Sequence, residues 1–457
     1  MKEDVRMIKA KEIDMLHGSL WDKMIIFALP LALTVFLQQM YNTIDTAIVG
    51  QFISSHAMAA VGTNVPVVGL CVNLFFGVSL GANVMIARYI GSGEEKKARA
   101  TVHSSFMLAA GAGITLAVIG ELGINFIMNI LDVPEEVYDL AKTYLSIYLL
   151  GMPMLALYNL ESAIFRSRGD TETPLIALSI ASIVNGVLDL MATSVLGWGI
   201  AGVALATVTA QSLSAVILFV ALKRTSGITG ISIHEMRWDS GRMSEVVKVG
   251  LPAALQAMVF SFSNVIIQSA INSLGADVMA ASSAAFTIEI NIYCIINAFS
   301  QTTTTFVSQN YGAGNLPRCR RATWISFAIG NTAILIASVA VYILGDDLLS
   351  LFDNNPEVVR LGMIRIFYVV CFEMLNGVMD ILSGAMRGYG YSLPPALLAL
   401  IGICGVRLAW VWIIFPAHRA FDTLMICYPV SWLCASVMIA AAYRFYSKNV
   451  KVIRVMR

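Results

Sequence analysis

The sequence predicts an all-α membrane protein that crosses the bilayer twelve times, its helices arranged as two six-helix bundles related by a pseudo-two-fold axis. Three observations predict this fold. First, apolar residues make up 58% and charged residues 13% of the 457 positions, against about 45–50% and about 25% in a soluble domain. A soluble fold of this size has too much exterior to cover with so few polar side chains. Second, the chain carries twelve apolar stretches, each near or above the ~20 residues a spanning helix needs. Third, its two halves match each other colinearly.

The stretches fall near 24–50, 57–90, 99–122, 138–165, 173–196 and 199–222 in the first half. In the second they fall near 245–272, 278–311, 321–344, 359–386, 393–416 and 421–446. They are too long, and alternate too little, for barrel strands. Pro30, Pro66, Pro153, Pro252 and Pro429 lie inside or near the ends of these stretches. Neighbouring helices re-satisfy the carbonyls that a proline frees, so bends are tolerated there. With both termini cytoplasmic, inner segments and helix ends hold 25 of the 30 basic residues. The outer side then holds Lys142, Arg360, Arg365 and Arg419, and Arg407 stays in a helix. The outer loops are acidic, with Asp132, Glu135, Glu136 and Asp139 in one and Asp346, Asp347, Asp353 and Glu357 in another. This asymmetry follows the positive-inside rule and sets the expected orientation. The first twenty residues are polar and lack the apolar core of a cleavable leader.

The repeat is visible in three places. FALPLALTVF at 27–36 matches KVGLPAALQA at 248–257, and residues 86–93 match residues 307–314. Residues 165–169, FRSRG, match residues 384–388, GAMRG, which pairs Glu161 with Asp380 seven positions earlier. Each half has an even number of spans, so both insert the same way up, with the axis along the membrane normal. The expected division is residues 1–222 as the first lobe, 223–244 as an inner connection and 245–457 as the second lobe. Two such lobes around a central cleft are a transporter layout. The five histidines fall in loops or near helix ends, without a zinc-binding motif, and no catalytic cluster is visible; an enzyme is not expected. The seven cysteines form no CxxC pair, and all but Cys319 lie in apolar runs, as small buried hydrophobes do. A net charge of +1 argues against a nucleic-acid partner.

Ionisable groups at membrane depth are costly and point to function. Gln38, Asn42 and Asp45 share one face of the first span, and Asn185 and Asp189 one face of the fifth. Thr207 lies in the sixth span and Glu161 in the fourth. Two acids, an amide and a hydroxyl are hard oxygen ligands that suit Na+, or H+ where a carboxyl holds a proton. The alternative is that Asp45 and Asp189 sit at helix ends and meet headgroups or water. In the second half Glu373, Asn376 and Asp380 share a face of the tenth span, with Arg387 seven further on. Glu161 and Asp380 are either functional or halves of buried ion pairs with Arg168 and Arg387. Glu289 in the eighth span has similar standing, and the run Gln301–Thr305 is a candidate cavity lining. Arg407 is expected to pair with an acid of its own lobe in a structural role.

These residues carry a resemblance. LPLALTVFLQQMYNTIDTAIVG at 29–50 resembles the first helix of multidrug and toxic compound extrusion (MATE) transporters. RGDTETP at 168–174 resembles their loop after the fourth helix. NGVLD at 185–189 and GIAGVALAT at 199–207 resemble their fifth and sixth helices. The likeness covers nearly the whole chain and is closest to the DinF-like and MepA-like bacterial branch. It implies two bundles forming a V-shaped cleft in the bacterial cytoplasmic membrane. It also implies H+- or Na+-coupled antiport of lipophilic, often cationic compounds, with no cofactor and no partner chain required. The cation site carried over falls on Asp45, Asn185, Asp189 and Thr207, with Glu161 as an acidic contact for a cationic compound or as a second proton carrier. The acid that another branch places on the seventh helix is missing here between Leu255 and Ser263. Glu373 and Asp380 remain without a role implied by the likeness. The alternative within the same superfamily is a lipid-linked precursor or polysaccharide flippase, whose cavity would need many basic residues to hold a pyrophosphate.

Overall fold

The computed structural model describes residues 12–450 except Asp132 and Ser226, and it is helical throughout its membrane-spanning part. Asp132, expected in an acidic outer loop, and the basic residues of both chain ends lie outside the described residues. Among the described residues ten helices are long and apolar enough to cross a membrane. An eleventh span is a pair, Glu135–Leu150 and Met152–Ser167, bent by 48°. Gly151 sits at the bend with its Cα facing Val208, and Pro153 cannot donate a helical N–H. The remaining span, Pro356–Tyr368 and Glu373–Gly388, is interrupted by a 3-10 turn at Val370–Phe372, which leaves two helices of 13 and 16 residues, each too short to cross a membrane alone.

The six spans of the first half are thus Trp21–Phe52, Ser55–Ser92, Glu95–Leu122, the bent pair, Glu172–Leu190 and Gly199–Arg224. Those of the second are Ser240–Asn272, Ala276–Gly312, Leu316–Ile343, the broken tenth span, the eleventh and Cys427–Asn449. The eleventh begins at Leu393–Ala399 and continues through π-helical turns at Leu400–Gly405 and Trp410–Ile414. The fifth likewise ends in a π-helical turn, Met191–Val195. Such turns widen a helix locally and are frequent at functional sites. The left-handed glycines ending the second and eighth spans, Gly93 and Gly314, are 221 apart, as are Gly169 and Gly390 after the fourth and tenth. The expected register of the last repeat match, two residues shorter, is therefore corrected. Glu161 stands opposite Leu382 and Asp380 opposite Asn159, so the two acids are not equivalent.

Two compact units result. One holds the described chain up to Asp14 and Leu33–Ala254; the other holds Met15–Ala32 and the described chain from Leu255 onward. The division runs inside the first and seventh helices, just after Pro30 and Pro252. In the second unit Phe27 meets Phe306 edge-on at 5.6 Å, and Ala28 packs on Phe299 and Ile381. In the first unit the start of the seventh helix lies backbone-to-backbone on the second. Gly250 faces the Gly77 carbonyl and Gly81 faces the Val246 carbonyl, with no room for a Cβ at either. Small residues permit this approach, which is how helices associate where lipid supplies no hydrophobic drive. The inner connection is also fastened here: His103 accepts from the Ser232 amide at 3.0 Å, and Arg99 pairs with Glu235.

A branched side chain at Gly250 would have to displace backbone. Gly250→Val is expected to cost about 1–3 kcal/mol, read as a lower unfolding midpoint of purified protein. Gly62→Ala, where the space is open, is expected to leave the midpoint unchanged or higher.

Candidate functional site

The first unit gathers the expected cluster. Asp45 is 5% exposed, Asn185 1%, Asp189 0% and Thr207 2%. The carboxyls of Asp45 and Asp189 are neighbours, with Asn185 and Thr207 beside Asp45. The Thr207 hydroxyl lies 3.1 Å from Asp45 Oδ2 and 2.9 Å from the Val203 carbonyl, so its one proton serves one of them at a time. Asp45 Oδ1, both oxygens of Asp189 and the Asn185 amide nitrogen are enclosed without a hydrogen-bond partner. Three carboxylate oxygens therefore converge without a hydrogen bond, with the Asn185 amide as the one unused donor of the cluster. A buried pair of acids in that condition calls for a cation between them or a proton on one of them.

Helical spacing explains the convergence. Asn185 and Asp189 are four apart on the fifth span, and the π-helical turn begins two residues after Asp189. The sequence reading missed an aromatic wall around them. Tyr41, Tyr144 and Tyr148 all lie close to these acids. Tyr41 donates to the Thr207 carbonyl at 3.1 Å, Tyr144 and Tyr148 stack at 6.0 Å, and Gln211 donates to the Tyr148 hydroxyl at 3.2 Å. The signal was present. Tyr41 precedes Asp45 by four, Gln211 follows Thr207 by four, and Tyr144 and Tyr148 are themselves four apart.

The other candidates do not join this cluster. Gln38 is half-buried and Asn42 is exposed, and neither side chain makes a hydrogen bond among the described residues. Glu161 is 1% exposed with Oε2 unpartnered, and among the described residues no cation pairs with it. Arg168 instead bonds Asp170, Glu12, Thr225 and Thr229, tying down the loop after the fourth span. Asp380 is buried near Arg387 and Tyr293, but Arg387 donates to Gln256 at 2.9 Å. Of the two alternatives for Glu161 and Asp380, a direct ion pair with Arg168 or Arg387 is not formed among the described residues. Glu373 accepts from Asn376 at 2.9 Å.

Two readings of the second half differ from expectation, those of Arg407 and of the run Gln301–Thr305. Arg365, counted on the outer side by its charge, is 3% exposed. Its Nε and Nη2 reach Glu289 Oε2 at 3.0 and 2.8 Å, and Nη1 donates to Ser282 at 2.6 Å. Glu289 thus belongs to a buried ion pair. Arg407, expected to pair with an acid, instead donates to Ser431 and Asn264, both at 3.1 Å. The run Gln301–Thr305, a candidate cavity lining, is buried against another helix: Thr302, Thr303 and Thr304 bond carbonyls one turn back, and Thr304 and Ser308 also reach the Gly384 and Gly388 carbonyls. This is the seam between the eighth and tenth spans.

A two-bundle membrane protein with a buried, unneutralised acid pair belongs to the class of membrane transporters, not enzymes. The MatE family model matches residues 30–191 and 252–413, one segment in each half. The chain belongs to that family. It is 24% identical over 452 residues to the probable multidrug resistance protein YoeA of Bacillus subtilis (strain 168), covering 96% of both chains. It is 26% identical to the probable multidrug resistance protein YpnP of the same organism, covering 87% of this chain and 89% of that one. Among solved structures, one described as MATE in complex with MaL6 superposes with a TM-score of 0.90 at 20% identity. That match covers 96% of this chain and 99% of the other. The fold, including the twelve spans in two bundles, is the one expected from the sequence.

Removing one partner of a buried pair leaves an uncompensated charge. Glu289→Gln is therefore expected to destabilise the protein by about 3–5 kcal/mol. Adding Arg365→Met should restore part of that loss in the same thermal or denaturant measurement.

Proposed function

We propose that this chain exports lipophilic, often cationic compounds by antiport against H+ or Na+, with the cation taken up at Asp45 and Asp189. The observation that supports the reading is the convergence of three carboxylate oxygens that make no hydrogen bond in the first unit, in a family whose relatives are named for multidrug resistance. Asn185 and Thr207 supply further oxygens, and Tyr41, Tyr144 and Tyr148 lie close to the acids. Hard oxygen donors of this kind accept Na+ directly; a proton on one carboxyl relieves the same repulsion.

Alternating access follows from that charge. The cation enters from outside, and neutralising the acid pair lowers the cost of repacking the first, fifth and sixth spans. The cleft reorients, the cation leaves inside and the compound enters. Such a cycle couples only if the cation binds the two conformations with different affinity. Glu161, buried without a counter-ion, is placed as an acidic contact for a positively charged compound. The site lies in the cytoplasmic membrane of a cell whose inner face holds both termini.

Asp189→Asn is expected to abolish efflux of a cationic dye from proteoliposomes while the purified variant stays folded and monodisperse. Unchanged efflux would sink the assignment of the coupling site. Imposing a Na+ gradient and a pH gradient separately identifies the ion, since only one of them should drive wild-type efflux. Glu161→Gln should weaken transport of cationic compounds about tenfold, the scale of one charged hydrogen bond, and leave neutral ones much less affected. Equal losses for both classes would assign Glu161 to structure instead.

A further inference from the structure

The two halves build the same three-helix junction with opposite charge. The MatE matches begin at 30 and 252 and end at 191 and 413, so positions at both ends are 222 apart. At that spacing Asn42 corresponds to Asn264 and Asn185 to Arg407, while Asp45 and Asp189 correspond to Ile267 and Val411. The carboxylates of the first and fifth spans thus have no counterpart at these positions of the seventh and eleventh, and an arginine stands on the eleventh.

Arg407 is 5% exposed, yet no carboxylate holds it among the described residues. Its Nε donates to Ser431 and Nη1 to Asn264, which are neutral acceptors. Glu373 lies within electrostatic range but is held by Asn376. Glu289 is engaged by Arg365. Among the described residues Nη2 of Arg407 has no hydrogen-bond partner, and it is not one of the sealed polar atoms, so it remains reachable. The guanidinium lies over the Tyr428 ring at 4.2 Å, with Trp432 at 5.7 Å. Stacking fixes the plane of the fork, and the hydroxyl and amide fix its rotation. π-Helical turns flank the residue on both sides, as one follows Asp189 in the first half. A pre-oriented guanidinium with a free edge beside aromatic faces matches a planar carboxylate on an apolar body.

We propose that Arg407 binds the carboxylate of an amphipathic organic acid, giving the second unit an anion subsite where the first carries the acid pair. Tyr428 and Trp432 receive the apolar part of such a molecule and Asn264 keeps the guanidinium aimed at the acid. This rests on the reading of the chain as a transporter of amphipathic compounds and extends its substrates to zwitterions and monoanions.

The test is equilibrium binding of 1-naphthylacetate and its methyl ester to the full chain in lipid nanodiscs, read by energy transfer from tryptophan. The acid is expected to bind about tenfold more tightly than the ester, the scale of one charged hydrogen bond. Arg407→Gln should bring the acid down to the ester and leave the ester unchanged, and Arg407→Lys should restore part of the preference. Equal binding of acid and ester by the wild type, or a preference that survives Arg407→Gln, would overturn the proposal. If Arg407→Gln is not monodisperse, Asn264→Ala decides: the preference should shrink severalfold, and an undiminished preference is fatal. Because no gradient is imposed, failure of the antiport reading would leave this binding result standing, and the reverse also holds.

Discussion

A polar or charged group at membrane depth has no water to turn to, and every arrangement in this molecule answers that constraint. Backbone groups are satisfied by continuous helix, and hydroxyls by the carbonyl one turn back, as along Thr302–Thr304. Charged side chains are handled in three ways. Arg365 and Glu289 neutralise each other and fill their remaining bonds. Arg168 sits at a helix end, where loop hydroxyls and Asp170 reach it. The acid pair of the first unit and Arg407 of the second are left incompletely matched inside the protein. Incomplete matching is unfavourable for folding, and it recurs at buried Glu161, whose Oε2 also lacks a hydrogen-bond partner.

The repeat supplies the scaffold on which those differences are written. Both halves break their fourth helix near the same place, at Gly151 in one and at Val370–Phe372 in the other. Both widen their fifth helix into π-helical turns, and both end the second and fourth helices on a left-handed glycine. These features set backbone path and cost little to duplicate. Side chains are free to diverge on the shared path, and one unit has become acidic where the other has become basic. The first and seventh helices each belong to both units, changing from one to the other just after Pro30 and Pro252. Each unit is therefore completed by the opening turns of the other half's first helix, and the glycine contacts at Gly77, Gly81 and Gly250 depend on that exchange.

Much of the fold was legible because bilayer thickness and helix rise convert apolar length directly into span number. The twelve stretches read from composition coincide with the helices to within a few residues, including the tenth, which is broken at Val370–Phe372 into two short helices. The gathering of Asp45, Asn185, Asp189 and Thr207 was also legible, since spacings of three and four place side chains on one face and only a few faces carry acids. Tyr144, Tyr148 and Gln211 obey the same spacing, but aromatic and amide residues are common in membrane helices and draw no notice without the acids beside them. The repeat register near Glu161 and Asp380 was misread by two positions because a short Arg-Gly match outweighed the glycines that end the helices.

The sequence by itself determined the helical class, the number of spans, the repeat and the faces that carry polar groups, because these depend on periodicity along one helix. Only the tertiary structure decided who meets whom. It put Arg365 inside the second unit against Glu289, gave Arg407 neutral partners in place of an acid, and turned the Gln301–Thr305 run into a helix seam. It also turned Arg168 to Asp170 and the Arg387 hydrogen bond to Gln256, although Asp380 lies near Arg387. Pairing across helices depends on their relative rotation and depth, which packing sets jointly for all six helices of a bundle and which no single stretch of sequence contains.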